Sequence, residues 1–250
     1  MTSRLTSGVF AALAALLVLS SEPARAQSYA PYLDGTLLTD SADSSSRYLI
    51  VGGAKFRVSS SERPYFFTFL RYIVPRSTLD SITNIPRDGT VVRERATAPV
   101  FVIIGNRKWL VPSLEELQHF GGESAIRTVP QGTLNNWWFD FMKDGLLVRE
   151  RLDLEVYVIA GNARFWVPTT GDLEYYGGWA NVKTVPEGSM GGVSIWPICG
   201  TILSERFSAQ TYIIGEGGTK TLIPEWGTHM VVPAGSLSRF VDVPEHVCIN

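Results

Sequence analysis

Four acidic residues recur at one position, five places after a glycine: Asp40, Glu94, Glu150 and Glu205. Four basic residues recur just as regularly, Lys55, Lys108, Arg164 and Lys220. Oxygen ligands gathered around a hard cation such as Ca2+ make a binding site, so these four carboxylates, brought into a ring, are a candidate calcium centre. The alternative for the same residues is pairing. Each acid can meet the base of its own repeat or a neighbouring arginine, Arg95, Arg151 or Arg206, as cross-strand partners do. Exposed pairs of that kind contribute about 0–1 kcal/mol.

A second group of residues suits recognition. The chain has seven tryptophans, and exposed aromatic clusters mark binding surfaces. Trp137 and Trp138, followed by Phe139 and Phe141, interrupt a linker between repeats; Trp179 follows a short helical segment, and Trp226 and Trp196 lie in turn-rich sequence. Trp137, Trp138, Trp179 and Trp226 are the candidate ligand-binding residues. Trp109 and Trp166 fall inside strand-like runs and are expected in the core. Catalytic motifs are not evident: His119, His229 and His246 share no metal-ligand spacing, and no nucleophile elbow, H-E-x-x-H or phosphate loop occurs. No catalytic residue is assigned. A pair of carboxylates meeting only in space, as in glycoside hydrolysis, is the enzymatic alternative. The segment from Asp40 to Ser46 lacks the glycine and closing glutamate of a calcium loop and reads as a solvated turn.

The elements that must position these residues come in four copies. Asp34-Gly35, Asp88-Gly89 and Asp144-Gly145 are followed by Cys199-Gly200, at offsets of 54, 56 and 55 residues. Each unit then has an aromatic-led β-branched run, starting at Tyr48, Phe101, Tyr157 and Tyr212, and a Gly-Gly or Gly-Asn turn into a second apolar run. Branched and aromatic residues favour strands, and these turn residues tolerate positive φ. Three copies close that run with Pro112, Pro168 or Pro224, and all four carry Val-Pro, at Val74, Val129, Val185 and Val232. Copies two and three insert a short amphipathic helix, where Ser113 with Glu116 fits a capping box. Copy one has Tyr65, Phe66 and Phe67 there instead, and copy four has no helix. The expected fold is mainly β with short helices: four repeats, 34–87, 88–143, 144–198 and 199–250, forming a four-bladed β-propeller-like ring. An open β-rich solenoid is the alternative.

The N-terminus reads as a secretory signal. Arg4, an apolar stretch from Val9 to Leu19 and the Ala24-Arg25-Ala26 sequence predict cleavage after residue 26, leaving a short tail, 27–33, before the repeats. In an oxidising compartment the two cysteines, Cys199 and Cys248, are expected to pair and fasten the ends of the last repeat. A net charge of −2 without blocks of like charge gives no footprint for nucleic acid or an anionic membrane. No membrane insertion is expected once the signal is removed.

The runs from Tyr157 to Pro168 and from Phe101 to Pro112 resemble a tandem repeat of exported bacterial proteins, with an aromatic-led strand, a glycine turn, a basic residue and a closing proline. In size and strand number the four units are also similar to four-bladed hemopexin-like propellers. The resemblance implies an exported, non-catalytic module and assigns no site residues. The expected function is therefore binding of a glycan, peptidoglycan or envelope protein, in the periplasm or outside the cell. A structural or assembly protein of the envelope and a carbohydrate-active hydrolase are the alternatives.

Overall fold

The computed structural model describes residues 27–67, 70–224, 229–246 and 248. The signal segment 1–26 and Trp226 lie outside the described residues.

The first repeat contains β1 (Leu37–Asp40), β2 (Arg47–Val51), β3 (Ala54–Arg57), β4 (Arg71–Val74) and α1 (Arg76–Ser81). The second contains β5 (Val91–Glu94), β6 (Val100–Ile104), β7 (Arg107–Leu110), α2 (Leu114–His119) and β8 (Arg127–Val129). The third follows with β9 (Leu147–Glu150), β10 (Tyr157–Ala160), β11 (Ala163–Trp166), α3 (Thr170–Tyr175) and β12 (Val182–Val185). The fourth has β13 (Ile202–Glu205), β14 (Thr211–Ile214), β15 (Thr219–Ile223), β16 (Met230–Val232) and β17 (Val241–Asp242). The chain is thus mainly β with short helices, and its four sheets correspond to the four sequence repeats.

Strand order is the same in every sheet. The first three strands form an antiparallel meander, and the fourth returns to lie parallel to the first, giving the order β3-β2-β1-β4 and its equivalents. A parallel neighbour requires a crossover, which the segment after the third strand supplies. In the fourth sheet the C-terminal β17 adds itself in parallel to β15.

The first three sheets are covered on both faces, which is why their strands read as continuous apolar runs. In β10, Val158 and Ala160 point into the core shared with the fourth sheet, while Ile159 points into the core shared with the second. A third core joins the first and second sheets around Leu49, Phe56, Ile103 and Leu134. The outer face of the first sheet is covered by the tail: Ala30 is buried against Leu38, Ile50 and Leu79, with Tyr32 beside them. Among the described residues no core cluster unites the first sheet with the fourth, and no sheet closes on itself.

Hairpin glycines set how closely successive repeats approach. Gly105 has φ +57°, and a Cβ there would lie 2.1 Å from Leu146 of the next repeat; at Gly161, with φ +56°, it would lie 2.3 Å from Thr201. Asp88 and Asp144 hold those glycine N–H groups at 2.9 and 2.7 Å. Cys199 replaces this aspartate in the fourth repeat, and it is bonded to Cys248, with 5.8 Å between their Cα atoms.

Each junction also carries one buried acid. Glu62, Glu116 and Asp172 are buried, and each is met by an arginine of the following repeat. Arg95 donates to Glu62 at 2.8 and 2.5 Å, Arg151 to Glu116 at 3.0 Å, and Arg206 to Asp172. These arginines adjoin Glu94, Glu150 and Glu205 in sequence but reach across to the preceding repeat. The capping box is accordingly half formed: the Ser113 hydroxyl accepts the Glu116 N–H at 3.0 Å, while the Glu116 carboxylate is turned to Arg151.

Arg151→Ala would leave Glu116 buried without a counter-charge, its one remaining partner being the Glu187 N–H, which costs about 3 kcal/mol; urea unfolding should show a loss of that order, and an unchanged midpoint would contradict the junction role. The Arg95 hydrogen bonds hold the Glu62 carboxyl below its ordinary value of 4.5. A depressed folded-state pKa contributes stability that is present above pH 4.5 and is lost as pH falls through the folded value. The denaturant midpoint should therefore fall on acidification below about pH 4.5, with a shallower fall in Glu62→Gln; identical profiles would refute this.

Candidate functional site

In repeats two to four the repeated acid and base act on the backbone of one residue, the acid on its N–H and the base on its carbonyl. Glu94 accepts the N–H of Leu134 at 2.6 Å, Glu150 that of Met190 at 2.5 Å, and Glu205 that of Leu237 at 2.5 Å. The carbonyls of the same three residues accept from Lys108, Arg164 and Lys220. Acid and base thus grip one residue from both sides, and its side chain is buried in the core between sheets. The expectation that each acid pairs directly with the base of its repeat is replaced by this shared clamp.

The first repeat departs from the clamp for a local reason. Its partners carry glycine in a left-handed turn, at Gly132, Gly188 and Gly235. Ser77 stands there instead, and the segment winds into α1. The Leu79 N–H then points to the Pro75 carbonyl, and the buried Asp40 accepts from Ala42 and lies 3.4 Å from Arg76. Lys55 still donates to the Leu79 carbonyl, at 2.6 Å, and to that of Ile82. Asp40, Glu94, Glu150 and Glu205 therefore do not converge into the calcium ring considered from sequence. Each is satisfied within its own repeat, and among the described residues the side chains close enough to share an ion are Cys199, His246 and Cys248. The two sulfurs there are bonded to each other, and His246 Nε2 sits 3.2 Å from the Ile214 carbonyl. The Asp40–Ser46 turn is self-satisfied: Ser45 and Ser46 donate to Asp43, whose carboxyl is lowered to about 2.

The tryptophans divide between surfaces. Trp137 is 67% exposed and packs edge-on against Trp138 and Phe141. Trp138 is half-buried against the core of the first two sheets. Trp179 is exposed at a groove of about 260 Å3 shared with Leu154 and Trp166. Trp109 lies in the core as expected, its Nε1 donating to the Ile104 carbonyl. Trp166 does not: it is 54% exposed, because alternation along β11 turns Phe165 inward and Trp166 out. Trp137 and Trp179 therefore serve different surfaces rather than a single patch.

A further groove was not anticipated from sequence. It holds about 650 Å3 between the first two sheets and is walled by Tyr65, Phe66 and Phe67, the run that stands in place of the helix. Arg95 stacks 3.8 Å over the Tyr65 ring while bound to Glu62, and Arg127 faces Asp34 at 3.6 Å on the rim. Aromatic faces, two guanidinium groups and a carboxylate converge there. The signal available in sequence was the aromatic run itself, where the repeat calls for a helix.

No protein family and no curated protein matches this chain. Among solved structures, the periplasmic assembly from the ESX-5 inner membrane complex is similar at 11% identity and a TM-score of 0.17, over 84% of this chain and 68% of that one. At that level the likeness carries no argument about fold or function.

Removing one arm of the clamp should unfold more than it exposes. Glu94→Ala, which leaves the buried Leu134 N–H without an acceptor, is expected to lower stability by about 1–3 kcal/mol, and Glu94→Gln, which retains an acceptor oxygen, by less. Equal losses in chemical denaturation would refute a hydrogen-bonding role for the carboxylate.

Proposed function

We propose that this protein is an exported, non-catalytic module that binds a glycan of the cell envelope or extracellular surroundings, peptidoglycan included. The observation that carries this reading is the groove between the first two sheets. Sugar rings present apolar C–H faces and a fringe of hydroxyls, so they need aromatic walls beside polar groups of both kinds. Tyr65, 62% exposed, and Phe67, 74% exposed, give such walls without being needed in the core. Arg127 and Asp34 provide donors and acceptors at the rim. Arg95 lines the groove while fixed by its bond to the buried Glu62, and a side chain already held in place limits the ordering cost of binding.

Export is supported by the signal-like N-terminal sequence and by the Cys199–Cys248 disulfide, a bond that persists in oxidising compartments. No helix among the described residues is long and apolar enough to cross a membrane.

Retention on purified peptidoglycan and on insoluble polysaccharides tests the proposal. The intact protein should be retained by at least one of them without releasing soluble sugar. Tyr65→Ala and Arg127→Ala should weaken retention about tenfold each, with folding little affected since both side chains are exposed. Absence of retention on every matrix, release of sugar, or unchanged retention in both variants would overturn it.

A further inference from the structure

The linker after the second repeat is longer than its counterparts. In the others an apolar anchor stands three residues after the residue held by the base: Ile82 after Leu79, Val193 after Met190, Phe240 after Leu237. Phe139 stands five after Leu134. All four anchors are buried, so the two additional residues must bulge outward. The bulge carries Trp137 and Trp138.

A cavity of about 260 Å3 lies between this bulge and the first sheet. Phe56 and Trp138 wall it, and Lys55, Arg57, Asn84 and Asn136 line it; no carboxylate does. Donors therefore dominate. Lys55 uses two of its three protons on the carbonyls of Leu79 and Ile82. The Trp138 ring walls the cavity while its indole N–H is itself buried, which makes that N–H a reporter of the cavity wall. Asn136 spends one amide proton on the Thr133 carbonyl at 2.6 Å; the remaining Lys55 proton, Arg57 and Asn84, beside an aromatic wall and with no carboxylate lining the cavity, suit an acceptor of negative charge, and there is room for one small group.

We propose that this pocket binds a small carboxylate, the acidic group of a sugar acid or of an amino-acid terminus. It is a site separate from the Tyr65 groove, so its fate does not depend on retention by polysaccharide.

The test uses the intact protein labelled with 15N, the Trp138 indole signal being identified by its loss in Trp138→Phe, which keeps the aromatic wall. Sodium glucuronate, N-acetylglycinate and neutral glucose are titrated in turn. The indole signal is expected to shift saturably with at least one carboxylate and not with glucose, and Arg57→Gln should weaken that binding about tenfold. Response to glucuronate alone identifies a sugar acid, response to N-acetylglycinate alone a peptide-type carboxylate, and response to both a site that reads the carboxylate itself. No shift with either, an equal shift with glucose, or undiminished binding in Arg57→Gln would overturn the proposal, leaving a cavity that holds water only.

Discussion

The structure depends on one residue per repeat whose backbone N–H and carbonyl are held from two sides by opposite charges. In repeats two to four a carboxylate takes the N–H of Leu134, Met190 or Leu237, and a basic side chain takes its carbonyl. These residues lie after the fourth strand in single 3-10 turns, whose leading N–H groups find no partner within the turn. A buried backbone group left unpaired costs about 1–3 kcal/mol, so the apolar side chain can enter the core only if its own peptide is satisfied. The clamp meets that condition. It also ties the first strand and the hairpin to the end of the repeat, fixing the parallel return of the fourth strand.

Stacking of the repeats rests on a second use of charge. Glu62, Glu116 and Asp172 are buried at successive junctions, and burial of a carboxylate is tolerated only with a close cation and further hydrogen bonds. The arginine comes each time from the next repeat, so a sheet that docks wrongly strands a buried charge. Hairpin glycines act in the same direction by steric means, because Leu146 and Thr201 occupy the space a Cβ would need. Apolar area drives the sheets together without direction; these contacts select one arrangement.

Features suited to recognition occur where the repeat is broken. Loss of the helix in the first repeat leaves Tyr65 to Phe67 along a groove, and the longer linker after the second creates the pocket beside Trp138. Residues common to all repeats are held within the scaffold, while residues peculiar to one are free to face outward. The tail over the first sheet and β17 with the disulfide at the last give the two ends of the array their own finishing contacts.

The four units, their strands, the helix start at Ser113 and the cysteine pair could be read from sequence, since each rests on local chemistry: β-branched runs, glycine turns, a capping hydroxyl and two thiols. Spacing also revealed that Asp40, Glu94, Glu150 and Glu205 were part of one pattern. What they touch was not legible, because Glu94 and Leu134 are forty residues apart and their contact exists only once the fourth strand returns beside the first. The same holds for Arg95, whose partner belongs to another repeat, and for Trp166, since which face of β11 enters the core is settled only when the sheets pack. Sequence thus determined the elements and their periodicity, which depend on neighbouring residues. Tertiary structure alone decided strand order, the partners of the charges and the grooves, since these depend on which distant surfaces exclude water together.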